Sequence, residues 1–182
     1  FVGSRGLGDV YKRQVVDELY AAFTGDSVLP SADFDATPNL LVLQSLSKTA
    51  GLASLRIGFA IGHPGVIDRV GRVTGPYDIN SVAVAAAFAA LADQSYVDAY
   101  VAEVLRARDW TVEALREAGV RHHCDGGNYL LIWPKRSVAE IDADLRAAGI
   151  LVRSMAGKPL IDGCFRVSIG TTSQMQRFME AY

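Results

Sequence analysis

Two short runs rich in Val and Leu, VVDEL at 15–19 and LLVLQ at 40–44, limit what this chain can fold into. A strand with one wet face alternates apolar and polar residues. These runs do not, so they read as strands covered on both faces, the pattern of a parallel sheet flanked by helices. The segment between them, FTGDSVLPSADFDATPN, is a polar loop with Pro and Gly. LRIGFAIG at 55–62 is a third strand candidate, closed by the turn residues His63, Pro64 and Gly65. Pro64 suits the first turn of a helix running to about Val73.

Gly75 and Pro76 break that helix. A long helical pattern follows from Ser81 to about Ala118, with Ser81 as the expected N-cap. Its first half is nearly all Ala and Val and reads as buried. Its second half is amphipathic and stops at Gly119. Val120–Cys124 and Tyr129–Trp133 read as strands. Ser137–Ala148 reads as a helix, with Ser137 and Glu140 as a capping box and Gly149 as its stop. Ile150–Arg153 and Cys164–Ile169 are further strands, and Ser173–Tyr182 is a last helix. The organisation is α/β in two layers. The expected boundary lies near Gly75–Ser81, with part of a parallel-sheet domain at 15–75. Residues 76–182 then form an interdomain helix and a small α+β domain.

The first fourteen residues, FVGSRGLGDVYKRQ, stand apart. They hold three glycines, scattered charges and no period, and VVDELY begins abruptly after them. They resemble translated adapter sequence fused to a fragmentary reading frame, and the fold reasoning sets them aside. On that reading the natural chain extends upstream of Val15.

The chain has 182 residues, 50% of them hydrophobic and 21% charged, enough to bury a sizeable core. Its net charge is −2 with no basic run, which argues against nucleic acid, because phosphate binding needs a concentrated positive face. The Ala-rich stretch from Val82 to Leu91 is too short to span a bilayer and is followed by Asp93. There is no secretory signal. Cys124 and Cys164 match no metal spacing and read as reduced cytoplasmic thiols. His122 and His123 lack further ligands at metal spacing, so no metal site is expected.

Chemistry concentrates in SLSKTAGLASLRIG at 45–58. Lys48 follows a strand and precedes small residues where backbone can approach closely. Desolvation there disfavours the ammonium and favours a free amine for Schiff-base chemistry. Ser45 and Ser47 flank it and Arg56 lies eight residues on; hydroxyls and a guanidinium suit a phosphate dianion. One loop thus suits an aldehyde at one end and a phosphate at the other, as pyridoxal phosphate requires. Asp17 at the end of the first strand suits a protonated pyridine nitrogen. Tyr20, just beyond, suits the ring's phenolate oxygen. Arg56 lies inside an apolar run, which argues for a buried anionic partner. Glu18 reads as the solvated member of the Asp17–Glu18 pair.

The series Asp17-x-x-Tyr20, Ser45-x-Ser47-Lys48, Arg56 and Arg166 resembles the fold-type I aminotransferases of classes I and II, and within them the histidinol-phosphate aminotransferases. VVDELY, SLSKTAGLASLRIGFAIG, GPYDINSVAVAAA, GGNYLLIW and GILVRSMAGKPLIDGCFRVSIGT carry the likeness, which covers Val15 to Tyr182, about the C-terminal half of a member. It implies the C-terminal part of a pyridoxal-phosphate-binding large domain, a mostly parallel sheet with helices, plus the small α+β domain.

The resemblance also implies roles. Lys48 would link covalently to the cofactor and then move the proton at substrate Cα. Asp17 would hold the pyridinium and Tyr20 the ring oxygen, while Ser45, Ser47 and Arg56 would bind the cofactor phosphate. Arg166 matches an arginine for the carboxylate of the 2-oxo acid, and Arg153 a position associated with the substrate phosphate. Asn128 would lie near the substrate. Tyr77 and Asn80 lie in a stretch that approaches the neighbouring subunit's site in a homodimer. The implied reaction is transfer of an amino group between L-histidinol phosphate and 2-oxoglutarate, in histidine biosynthesis. The rivals are another class I/II aminotransferase, a threonine-phosphate decarboxylase, or a non-catalytic aminotransferase-like sensor domain. The family's phosphate-binding loop, ring-stacking aromatic and O3′-bonding asparagine are all expected upstream of Val15, so this chain alone is expected to be inactive.

Overall fold

The computed structural model describes residues 12–75 and 77–182; residues 1–11, which hold most of the segment expected to be foreign, and Pro76 lie outside the described residues. The chain divides into two compact units between Val97 and Asp98.

The first unit begins with strand β1 (Gln14–Asp17) and a single helical turn α1 (Ala21–Thr24). After a 3-10 turn at Leu29–Ser31 come β2 (Leu40–Ser45), the short helix α2 (Leu46–Thr49), a 3-10 turn at Ala53–Leu55 and β3 (Gly58–Gly62). Helices α3 (Pro64–Gly71) and α4 (Ser81–Ala92) follow, with the first turn of α5 (Gln94–Glu117). The sheet order is β1-β2-β3. β1 and β2 are parallel, with Asp17 opposite Leu43. β3 runs antiparallel to β2, with Ser45 opposite Gly58. One antiparallel strand beside a parallel pair is a common pattern in α/β sheets.

Several local expectations hold for local reasons. His63 caps α3 by accepting from the Gly65 amide at 3.1 Å, and Pro64 fills the first position. Others change. Leu55 to Ile57 do not join β3, because Arg56 adopts a left-handed φ of 56° that turns the chain. The long helix is two helices. Asp93 leaves helical geometry, and its carboxylate accepts from the Tyr96 amide and the Ser95 hydroxyl, starting α5 afresh. Asn80, not Ser81, is the N-cap of α4, accepting from the Ala83 amide at 2.8 Å. The Ala-rich helix expected to be buried buries only Ala83 and Ala87, which cluster with Ile57 and the half-buried Leu46 and Leu55. Coverage on both faces likewise fits Leu41 and Val42 of β2 but not β1, whose Val15 is exposed at the sheet edge among the described residues. The two compact units divide within α5, and Ala83 and Ala87 of α4 cluster with Ile57 in the first unit.

The second unit is an antiparallel sheet of order β4-β5-β7-β6, formed by β4 (Arg121–His123), β5 (Tyr129–Trp133), β6 (Arg153–Ser154) and β7 (Phe165–Ser168). It also holds the rest of α5, α6 (Val138–Ala147) and α7 (Thr172–Ala181). On α5, Val104, Ala107, Thr111 and Leu115 form the buried stripe, at the spacing of one helix face. Leu130 and Ile132 of β5 pair with Val167 and Phe165 of β7, and all four are buried. Phe165 packs edge-on to Phe178 of α7, and both rings lie near Tyr182. The expected Ser137–Glu140 capping box is present. Gly149, at φ 75°, ends α6 with Ile150 N–H bonded to Leu145 O, so the expected strand at Ile150 starts only at Arg153.

Candidate active site

Within the first unit, the parallel pairing of β1 and β2 brings their carboxyl ends side by side. In open α/β sheets this is where ligands are held. β1 delivers Asp17 and, three residues on, Tyr20; β2 delivers Ser45 and runs directly into α2 with Ser47 and Lys48. Ser45 caps that turn, its Oγ accepting from the Ser47 amide at 3.1 Å and lying 2.8 Å from Ser47 Oγ. The same Oγ lies 3.5 Å from the Ile57 carbonyl, which brings the Arg56 turn alongside. Lys48 Nζ stands 5.9 Å from the centre of the Tyr20 ring, within cation–π reach. Lys48 is half-buried, and no carboxylate pairs with it among the described residues.

Two expectations about burial are reversed here. Asp17 is exposed, its Oδ1 accepting from the Leu19 amide. Glu18, taken as the solvated partner, is the buried one at 8% exposure. Successive side chains on a strand point to opposite faces, and the chain at 27–28 folds over the Glu18 side. Glu18 Oε1 accepts from the Val28 amide at 2.6 Å, and Oε2 from Ser27 Oγ at 2.9 Å and Gln44 Nε2 at 3.0 Å. Burial raises its pKa, but these three donors outweigh it and leave the pKa lowered. Arg56 is also exposed, not buried against an anion. Its left-handed backbone points the side chain back, and Nη1 donates to the Ala53 carbonyl at 3.0 Å.

The second unit carries the remaining residues. Arg166 is half-buried on β7 between the buried Phe165 and Val167, so it emerges on the face opposite the core. Register places Leu131, Arg166 and Arg153 in one row across β5, β7 and β6. The Arg166 guanidinium lies 5.3 Å from the centre of the Tyr129 ring. Neither arginine enters an ion pair with the described residues. A cavity of about 430 Å³ opens beside them, lined by Leu151, Arg153, Arg166, Ser168, Gln174 and Arg177 among others. Arg177 donates to the Ala148 carbonyl at the end of α6. Asn128 precedes β5, and its carbonyl accepts from the Ile169 amide at 2.8 Å. Tyr77 is exposed, and Asn80 donates to the Leu55 carbonyl at 3.4 Å besides capping α4.

Glu18 and Gln44 are the contributors that sequence reasoning passed over. The available sign was alternation along β1: if Asp17 faces a ligand, Glu18 faces the other way. Among the described residues no group of His, Cys, Asp and Glu is arranged to hold a metal ion, and no helix is long and apolar enough to cross a membrane.

Comparison with known proteins gives the family. Residues 13–181 match the class I and II aminotransferases. A histidinol-phosphate aminotransferase of Geotalea uraniireducens is 37% identical over 175 residues, covering 96% of this chain and 50% of the relative. The chain spans about half the length of the curated relatives it matches. Among solved structures, the histidinol-phosphate aminotransferase of Sinorhizobium meliloti in complex with pyridoxal-5′-phosphate superposes with a TM-score of 0.75 at 24% identity, covering 92% of this chain and 46% of that one. The L-threonine-O-3-phosphate decarboxylase of Porphyromonas gingivalis gives 0.79 at 25%, covering 96% and 55%.

Proposed function

The chain belongs to the class I and II aminotransferases, and from that premise we propose that the protein it represents carries out pyridoxal-phosphate-dependent transfer of an amino group between L-histidinol phosphate and 2-oxoglutarate. The observation that carries this reading is Lys48. It is an amine with no carboxylate partner among the described residues, set against the Tyr20 ring at the end of β2 and flanked by two hydroxyls.

The donor set fits the cofactor: an amine, a phenol and an exposed carboxylate on neighbouring strand ends, with Ser45, Ser47 and Arg56 following. When bound, pyridoxal phosphate supplies an electron sink for charge developing at substrate Cα. Asp17 would hold a proton on the ring nitrogen, and Tyr20 would donate to the ring oxygen. The two serines would hold the phosphate, and Arg56 would join them by releasing the Ala53 carbonyl to which it donates here. Lys48 Nζ takes the proton from Cα and returns it, as general base and then general acid. Arg166 orients the carboxylate of the 2-oxo acid, Arg153 meets the substrate phosphate, and Asn128 borders the substrate. In the cell the protein would act in the cytoplasm in histidine biosynthesis, as a homodimer. The 182-residue chain by itself would bind the cofactor weakly and turn nothing over.

A second reading draws on the decarboxylase likeness. Two arginines in one row suit a phosphorylated amine together with a carboxylate in either reaction, and the two reactions differ in which Cα bond breaks. Release of carbon dioxide from a phosphorylated substrate by the full-length protein would establish decarboxylation; α-deprotonation without it, with glutamate formed from 2-oxoglutarate, would establish transamination.

The test on the chain itself is to add pyridoxal phosphate, reduce with borohydride and map the pyridoxyl mass by peptide. Lys48 should carry it in preference to Lys135 and Lys158. Equal labelling of the three would overturn the reading.

A further inference from the structure

Glu18 has no part in the reaction as derived, yet it is a buried carboxylate that forms no ion pair among the described residues. A charge taken out of water without an ionic partner is costly, and is kept only where hydrogen bonds replace its hydration. Here three donors do so, and they come from two separated parts of the chain: Ser27 and Val28 in the loop after α1, and Gln44 on β2. The Glu18 backbone adds a fourth tie, its N–H donating to Leu43 O at 2.8 Å and extending the β1–β2 ladder by one bond past Asp17.

The position of these ties gives them meaning. Glu18 lies directly between Asp17 and the turn that begins at Tyr20. Gln44 immediately precedes Ser45, whose hydroxyl starts the turn bearing Ser47 and Lys48. The Glu18–Gln44 bond therefore links the strand end that would hold the cofactor ring to the one that would supply the amine. Among the described residues β1 lies at the edge of its sheet and pairs only with β2, so the side-chain ties of Glu18 add to a single ladder.

We propose that Glu18 is a positioning residue, whose buried carboxylate fixes the Asp17–Tyr20 strand end against the Ser45–Lys48 strand end and pins the 27–28 loop behind both. This rests on the cofactor-site reading given above. A glutamine at 18 has the same shape but only one acceptor oxygen, so with that oxygen kept on the Val28 N–H its NH₂ stands where Ser27 Oγ and Gln44 Nε2 now donate. Those two partners can turn to accept, but the carboxylate's charge, and with it the charge-assisted strength of the bonds, is lost.

The test compares wild type, Glu18→Gln and Ala87→Gly, the last loosening the same unit through its helix without touching Glu18. Two readouts are taken. The first is the ratio of borohydride-fixed pyridoxyl on Lys48 to that on Lys135. The second needs no cofactor: hydrogen exchange of peptides covering 14–28 and 40–48. Glu18→Gln should lower the labelling ratio roughly tenfold, the scale of a lost charge-assisted hydrogen bond, and speed exchange in both peptides. Ala87→Gly should leave the ratio near wild type. If Glu18→Gln keeps the wild-type ratio, or if Ala87→Gly lowers it equally, the positioning role is refuted while the site reading stands. If wild type itself shows no preference for Lys48, the site reading fails and this inference with it.

Discussion

Gly58 offers a sharp test of how the Lys48 strand is held. It sits opposite Ser45 in the β2–β3 ladder, and a Cβ placed on it would come within 2.8 Å of the Gln44 carbonyl oxygen. Ordinary contact begins near 3.4 Å, so β3 must retreat by about half an ångström or more. The obstructing atom is backbone inside a ladder and cannot rotate away. Gly58→Ala at this position meets no barrier from a positive φ, so the cost is steric. Overpacking of this kind costs ~1–3 kcal/mol. Alanine's lower freedom in the unfolded chain offsets ~0.4–1 kcal/mol of that. The central values, ~2 kcal/mol less ~0.7 kcal/mol, leave ~1.3 kcal/mol, which corresponds to amide exchange roughly tenfold faster at ~1.4 kcal/mol per tenfold. Hydrogen exchange read by mass spectrometry on peptides spanning 40–62 should show it, with peptides spanning 121–133 as the unperturbed reference. The retreat would also draw the Ile57 carbonyl away from Ser45 Oγ and lower pyridoxyl labelling of Lys48. Unchanged or slower exchange across 40–62 would show that close approach at Gly58 does not set the strand spacing.

Two further outcomes concern the second unit, whose Trp110 and Trp133 report its unfolding by fluorescence. Glu103 accepts from the Thr172 amide at the start of α7 and from Arg106, in that order of importance, and its pKa falls from 4.5 to about 2. Its contribution is present above pH 4.5 and is lost as pH falls towards 2, so urea midpoints should drop over that window. Glu103→Gln should flatten that pH dependence, and an unchanged slope would refute the assignment. Phe165→Ala removes a fully buried ring that packs on Phe178 and Tyr182, and should cost ~3–5 kcal/mol in urea denaturation; a loss under ~1 kcal/mol would mean the cluster is not the core of the unit.

What could be read from sequence was mostly what local chemistry determines. The Ser137–Glu140 box, Pro64 at a helix start, Gly149 at a helix end and the strand Tyr129–Trp133 depend on residues a few positions apart, and all appear. The candidate site residues came from side-chain chemistry and the family resemblance, and the parallel pairing of β1 and β2 brings Asp17, Tyr20, Ser45, Ser47 and Lys48 to adjacent strand ends. What sequence could not supply was which side of a strand becomes covered. Asp17 and Glu18 are chemically alike, and their burial is decided by a loop nine and ten residues further on. The break at Asp93 was hidden because good helix formers stand on both sides of it. The exposure of Arg56 follows from one backbone angle, which its apolar neighbours do not reveal.

Arg153 and Arg166 are rooted at directly opposed positions of the β6–β7 ladder, and no carboxylate of the described residues neutralises either. Like charges so placed repel, and the sheet holds them there whether or not anything lies between them. Folding of the second unit is therefore coupled to the ionic medium. Salt screens the repulsion, and a multiply charged anion placed in the adjoining cavity would remove it while adding bonds of its own. Such an anion would brace the unit as well as bind to it, and the unit should become firmer as the anion is added.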